Sequence, residues 1–196
     1  MTIDPITLQS LNGQLGEHRA MRSCAPIDFY MLLAAAGYLD KTIQPSQFCL
    51  DLDGRLLKTQ GQDWKRPLLS KVLRHKYHAP IVSWQINGPQ PTDFSKMKAA
   101  GYIETTEEVD FYNKNVLGKS VEQIVRQGFP VIVTMKPGFG SPENKNIHAI
   151  IIAEWEDEKV TVIDPDARNP KSVFKPDYVN SFISPEGAGS IIPPKV

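Results

Sequence analysis

The longest apolar stretch of the chain lies in its first quarter, directly after a cysteine. Residues 26–36, PIDFYMLLAAA, leave almost no polar face, a pattern typical of a helix that protein surrounds on all sides. Pro26 is tolerated in a first helical turn, and Gly37 is well placed to end the helix in a left-handed conformation. The pattern therefore predicts a central buried helix that begins at or just after Cys24.

The remainder of the first half is less regular. Residues 1–20 show no clear period, and residues 40–63 carry glycine, proline and aspartate signals that predict loops with short turns. A helix is predicted from about residue 64 to 77, because its apolar residues at 68, 69, 72 and 73 form one stripe.

The second half alternates short helices with apolar strands. Ser120 and Gln123 form a capping-box pair, and Gly128 ends the helix that they begin. A short helix is predicted at 92–100, and the acidic stretch 104–110 predicts a strand end and a loop. Strands are predicted at 79–86, 130–135, 148–155, 159–164 and near 189–194.

A helix-rich part, about residues 1–78, followed by a sheet-rich part, about 79–196, favours an α+β fold over a parallel doubly wound sheet. No G-x-G-x-x-G follows a predicted strand and no Walker-type loop occurs, so the sequence lacks the motifs that would indicate a nucleotide-binding fold. A chain of 196 residues suits one domain with a sizeable core. We expect a single domain.

The amino-acid composition limits the classes of partner that we expect the protein to bind. Basic and acidic residues number 22 each, so the zero net charge gives no pull towards nucleic acid or an anionic membrane. No stretch approaches the roughly 20 apolar residues of a membrane span, and the N-terminus lacks the apolar core of a secretory signal. We expect a cytoplasmic setting, with export without a cleaved signal left open. We expect no cofactor and no metal, since DLDG at 51–54 lacks the rest of a calcium loop.

Cys24 is the first candidate for chemistry. Free N–H groups and aligned peptide dipoles at a helix start stabilise an anion and lower a thiol pKa, which favours a nucleophilic thiolate. The alternative is an inert buried thiol, the ordinary state of a free cysteine. A nucleophilic cysteine also needs a histidine base that a third polar group holds in place.

Two polar residues at strand ends could complete such a site. His148 opens an apolar strand after the glycine-rich loop 136–146, which we expect to form a mobile flap. Asp164 ends the following strand. A structural histidine and an ordinary Asp-Pro turn are the alternatives for these two residues. The conjunction with Cys24 favours a catalytic set.

The register between these two strands tests that set. If residues 156–158 form a three-residue loop, Trp155 pairs with Lys159, and Ile150 pairs with the aspartate at 164. The histidine and the aspartate are then diagonal neighbours on one face of the sheet. A two-residue loop would turn them to opposite faces.

Three segments resemble one enzyme family, the papain-fold cysteine peptidases that cut bacteriocin and quorum-peptide leaders after a double glycine, together with their stand-alone relatives. The similar segments are SCAPIDFYMLLAAAGY, GFPVIVTM and HAIIIAEWEDEKVTVIDPD, in the family's order. The resemblance runs from Cys24 to about Pro165. It implies a papain-like fold, with a cysteine-bearing helix packed on an antiparallel sheet.

The resemblance also implies roles. Cys24 is the nucleophile, His148 the general base and then acid, and Asp164 the group that orients the imidazole.

Two departures from the family pattern lie near the cysteine. Ala25 stands where the family usually has glycine, and His18 stands where it has a glutamine that helps to bind the oxyanion. Gln14 lies further back in the chain. Gln14 and His18 are therefore the candidate oxyanion donors.

The sequence thus predicts a cysteine peptidase or amidase that hydrolyses a peptide amide through a Cys24 acyl-enzyme, with a peptide or protein as substrate. Two alternatives stay open. One is an acyl- or peptidyl-transferase that uses the same site, and the other is a papain-like binding module with weak catalysis. The sequence leaves the oligomeric state open.

Overall fold

The computed structural model describes residues 1–15, 24–40, 42–59, 66–86, 93–143, 145 and 147–195. They form an α+β fold in which helices pack on an antiparallel sheet, which confirms the predicted fold class. A 3₁₀ turn, Leu8–Leu11, precedes the helices α1 Asn12–Leu15, α2 Cys24–Ala35, α3 Pro45–Thr59, α4 Arg66–Tyr77, α5 Phe94–Ala99, α6 Thr106–Asn115, α7 Val121–Arg126 and α8 Pro176–Phe182.

The sheet of the described residues has six strands, and every neighbouring pair is antiparallel. The strands are β1 Val82–Gln85, β2 Val131–Met135, β3 His148–Trp155, β4 Val160–Ile163, β5 Lys171–Phe174 and β6 Ala188–Ile191. Their order across the sheet is β1-β6-β2-β3-β4-β5. The last strand of the chain therefore joins β1 to the continuous run from β2 to β5.

The sheet separates two hydrophobic cores, and β3 contributes to both. Ala149 and Ile151 enter the first core, which contains the buried face of α2, whereas Ile150 and Ile152 enter the second. Side chains alternate between the faces of a strand, so a strand covered on both sides reads as a continuous apolar run. This accounts for the AIII segment of β3.

Helix α2 begins at Cys24 and packs against β3, which confirms the predicted central helix. Ile27, Phe29 and Leu33 are fully buried in the first core. Gly37 ends the helix with a φ of 84°, a left-handed conformation that glycine adopts without strain. The Tyr38 N–H donates to the Leu33 carbonyl at 2.9 Å and closes the helix end.

The connection between β3 and β4 differs from the predicted one. Trp155 pairs with Val160 rather than with Lys159, and the register shifts between Ile152 and Glu154. Beyond this bulge Ile151 pairs with Ile163. The bulge accommodates one extra residue on β3. The strand ends near His148 therefore have the register that the sequence predicted, although the turn does not.

Two segments predicted as loops are helices. In α3, Phe48 and Leu52 lie one turn apart and are buried in the first core, and this packing outweighs the turn signals of the segment. In α6, Thr105 caps the helix by accepting the Glu108 N–H at 3.2 Å. The structure also adds α1, β5 and α8, which the sequence pattern did not indicate.

A buried ion pair explains why the acidic segment folds as a helix. Arg74 of α4 donates from Nε to Glu108 Oε1 at 2.7 Å, and both side chains are almost fully buried. Arg74 also donates to the carbonyls of Ile81, Gly101 and Tyr102. Because this arginine neutralises the carboxylate, α6 can bury a charge that its sequence would leave in solvent.

We predict that Arg74→Ala lowers the free energy of unfolding by about 3–5 kcal/mol, because it leaves the Glu108 carboxylate buried without its cation. Arg126 provides the control, since it pairs with Glu122 and Asp157 at the surface and its loss should cost about 1 kcal/mol or less. Urea denaturation followed by circular dichroism measures both variants. Equal losses in the two would contradict the role assigned to the buried pair.

Candidate active site

His148 and Asp164 lie in contact at neighbouring strand ends. His148 Nε2 donates to Asp164 Oδ2 at 3.0 Å, and the two residues are only 6 % and 8 % exposed. His148 opens β3, and Asp164 directly follows β4. A buried carboxylate at this distance fixes both the orientation and the tautomer of an imidazole.

The aspartate is itself held by the loop that follows it. The Asp166 N–H donates to Asp164 Oδ1 at 2.9 Å, and the Asp164 N–H donates to the Pro170 carbonyl at 2.8 Å. The Leu8 N–H donates to the Pro165 carbonyl at 2.7 Å, so the N-terminal segment is attached to the same loop. Both oxygens of the carboxylate therefore have a defined partner.

Cys24 is the first residue of α2 and lies on the first-core side of β3. The backbone N–H groups of Ala149 and Ala25 donate to its sulfur. Ala149 follows His148 directly in β3, so the thiol lies against the peptide group that joins these two residues.

Burial raises the pKa of the Cys24 thiol to about 11, and the negative charges of Asp28 and Asp166 add to the rise. The Ala149 and Ala25 N–H groups act in the opposite direction but do not compensate. The sequence predicted a lowered pKa at the helix start. Loss of hydration outweighs the helix N-terminus here, so the thiol is protonated at neutral pH.

His148 and Cys24 have different apolar neighbours around β3. The His148 ring contacts Phe139 of the second core, with ring centroids 6.3 Å apart, whereas Cys24 packs on the first core. The structure thus brings the imidazole to the carboxylate and the thiol to the backbone beside the imidazole.

A cavity of about 530 Å³ opens beside this group. Asp164 forms part of its wall, and so does Asp166, whose charge acts on the Cys24 thiol. Two aromatic residues, Phe139 and Phe174, supply apolar surface. The other lining residues are small or charged, namely Gly140, Ser141, Glu143, Lys145, Ala167, Arg168 and Ser172. The cavity has room for a peptide side chain next to the candidate residues.

The glycine-rich loop is anchored at Phe139, and its mobility stays a prediction. Phe139 is 2 % exposed and contacts Phe174, Tyr178 and Phe182, with ring centroids 5.0 to 5.8 Å apart. The loop therefore rests on an aromatic cluster next to the imidazole.

The structure describes one of the two candidate oxyanion donors. Gln14 lies in α1, and its side chain is exposed. His18 lies outside the described residues.

Sequence reasoning missed several residues around the site. Asp28 is fully buried one helical turn after Cys24, and it is the one charged residue in an otherwise apolar run. Tyr178 and Phe182 lie one turn apart in α8, and Phe174 at the end of β5 precedes them at the same four-residue spacing. Both signals were present in the sequence.

Within the described residues, no group of three or more His, Cys, Asp or Glu side chains could hold a metal ion. None of the described helices is both long enough and apolar enough to cross a membrane.

Comparison with known proteins finds similarity among solved structures only. No family model and no curated protein matches the chain. Among solved structures, it is similar to the crystal structure of a Bacillus anthracis protein named "putative C39-like peptidase". The identity is 12 %, the match covers 89 % of this chain and 90 % of that chain, and the TM-score is 0.48.

We predict that removing nearby negative charge lowers the Cys24 pKa. Asp28→Asn should have the larger effect and Asp166→Asn the smaller, in the order of their contributions. A pKa lower by one would raise the thiolate fraction about tenfold at a fixed pH below the pKa. The rate of iodoacetamide labelling of Cys24, followed by mass spectrometry at several fixed pH values between 7 and 10, measures this change.

The wild-type labelling rate should rise with pH without reaching a plateau near 8.5, because the thiol pKa is raised to about 11. Asp157→Asn provides the control, since Asp157 is an exposed residue of the β3–β4 turn. An unchanged labelling rate at every pH in both Asp28→Asn and Asp166→Asn would contradict the electrostatic assignment.

Proposed function

We propose that the protein is a cysteine peptidase or amidase that hydrolyses a peptide amide through a Cys24 acyl-enzyme. His148 would act as general base and then general acid, and Asp164 would orient the imidazole. The observation that carries the proposal is the 3.0 Å hydrogen bond between the buried His148 and Asp164 side chains, next to a thiol at the start of a helix.

We propose that Cys24 loses its proton while it attacks the substrate carbonyl rather than beforehand. The raised thiol pKa means that the resting protein holds a neutral thiol rather than a thiolate–imidazolium pair. Because Nε2 of His148 is hydrogen-bonded to Asp164, Nδ1 is the ring atom that would accept the thiol proton. The thiol and the imidazole would tighten their approach when substrate binds, as catalytic hydrogen bonds often do.

The proposed steps conserve atoms and charge. The sulfur attacks the carbonyl carbon while His148 takes the thiol proton, and the carbonyl π electrons move to the oxygen. The C–N bond then breaks, and the imidazolium returns the proton to the leaving amine. Water, deprotonated by His148, cleaves the thioester, which frees the acid and restores the thiol.

The oxyanion needs donors at the start of α2. The Cys24 N–H is one candidate, since the first N–H groups of a helix have no partner within it. Gln14 and His18 are the proposed side-chain donors. An exposed Gln14 would have to turn towards the site. Loss of one such donor typically costs about 10²–10³-fold in rate.

A binding module is the second candidate function, and one observation favours it. Burial raises the pKa of the Cys24 thiol to about 11, so the thiol keeps its proton at neutral pH. Such a module would use the cavity to hold a peptide without cleaving it.

We predict that His148→Gln lowers kcat/KM for peptide hydrolysis by about 10²–10⁴-fold, the usual contribution of a general acid–base. Cys24→Ala should abolish turnover, and Asp164→Asn should reduce it. Incubation with a complex peptide library, followed by mass spectrometry of new peptide ends, detects hydrolysis whatever the sequence at the cleaved bond. Adding amines to the same assay would reveal acyl transfer.

Matched controls separate chemistry from folding. His75→Gln changes an exposed histidine on α4, and Cys49→Ala changes the other cysteine, which is buried in α3. Both controls should retain hydrolysis. Peptide binding without new peptide ends, in wild type and Cys24→Ala alike, would support the binding module instead.

A further inference from the structure

Helix α8 holds the glycine-rich loop on both sides of Phe139. Before Phe139, the Lys136 N–H donates to the Phe182 carbonyl at 2.7 Å, and Lys136 Nζ donates to the Ser181 carbonyl at 2.8 Å. After it, the Gly140 N–H donates to the Tyr178 hydroxyl at 3.1 Å. The loop is thus attached to one helix at two points, four residues apart.

The loop backbone is built for this attachment. Gly138 and Gly140 have φ angles of 91° and 73°, which side-chain-bearing residues rarely adopt. A Cβ on Gly138 would also lie 3.4 Å from the Phe182 ring. These two glycines, in the left-handed conformation, allow Phe139 to turn inward onto Tyr178 and Phe182 of α8.

The inward position of Phe139 connects the loop to the candidate site. Its ring contacts Tyr178 at 5.7 Å on one side and His148 at 6.3 Å on another. Phe139 and Gly140 also line the cavity beside Asp164. A shift of the loop would therefore change both the surroundings of the imidazole and the shape of the cavity.

We propose that Tyr178 is a positioning residue, whose hydroxyl fixes the glycine-rich loop so that Phe139 rests on His148 and forms a wall of the substrate cavity. Its effect on turnover rests on the proposed peptidase function. Its effect on the loop does not. Tyr178 itself does not line the cavity, so it acts through the loop.

The test compares Tyr178→Phe with Tyr30→Phe. Both tyrosines are half-buried, and each hydroxyl makes one hydrogen bond to the backbone, that of Tyr30 to the Ile43 carbonyl at 2.7 Å. In Tyr178→Phe the Gly140 amide should exchange with solvent roughly fivefold faster, as expected for one lost hydrogen bond. The ring-proton NMR signals of His148 should move, because the ring current of Phe139 reaches them.

If the protein hydrolyses peptides, Tyr178→Phe should raise KM several-fold through the altered cavity wall, and Tyr30→Phe should not. Unchanged Gly140 exchange and unchanged His148 signals in folded Tyr178→Phe would overturn the proposal, as would equal changes in Tyr30→Phe. Should Tyr178→Phe not fold, the wild-type Gly140 amide still tests the bond, since it should exchange more slowly than the amide of exposed Ser141. An absence of hydrolysis with altered loop signals would contradict the peptidase function alone.

Discussion

The packing of α2 against β3 is the contact on which the candidate site depends. It places the Cys24 sulfur at the Ala149 N–H, one residue after His148 in β3. Because both faces of β3 are buried, a shift of one residue would exchange every apolar side chain between the cores and is strongly disfavoured. The hydrophobic effect thereby fixes the positions of two polar groups.

The same burial sets the chemistry of the thiol. A helix N-terminus favours an anion, but a sulfur removed from water loses hydration that two backbone N–H groups do not replace. Two nearby carboxylates act in the same direction as desolvation. In the proposed reaction the Cys24 proton would therefore have to leave during attack, which makes the position of the His148 imidazole decisive for that proposal.

Segments from the C-terminal third of the chain also hold residues of the candidate site in place. The loop after β4 holds Oδ1 of Asp164 through the Asp166 N–H, and α8 supports the glycine-rich loop next to His148. The final strand, β6, fits between β1 and β2, where Gly189 lies under the Trp84 ring and leaves no room for a Cβ. These contacts join segments that are far apart in the chain.

The sequence by itself determined the elements whose signals are local. It predicted α2 from its apolar run and Gly37, and α7 from the reciprocal Ser120–Gln123 cap. Strand periodicity placed His148 and Asp164 on one face only on the condition of a three-residue turn between β3 and β4, and the sequence left that condition open. Their catalytic roles, and that of Cys24, stay predictions.

Tertiary structure decided what depends on distant partners. Residues of α3 are helical because Phe48 and Leu52 meet the first core, and Glu108 can be buried because Arg74 reaches it from α4. The bulge between Ile152 and Glu154 restored a register that the turn alone would not have produced. The pKa of the Cys24 thiol is raised mainly because the sulfur is buried. Burial results from tertiary packing and could not be inferred from the residues next to Cys24.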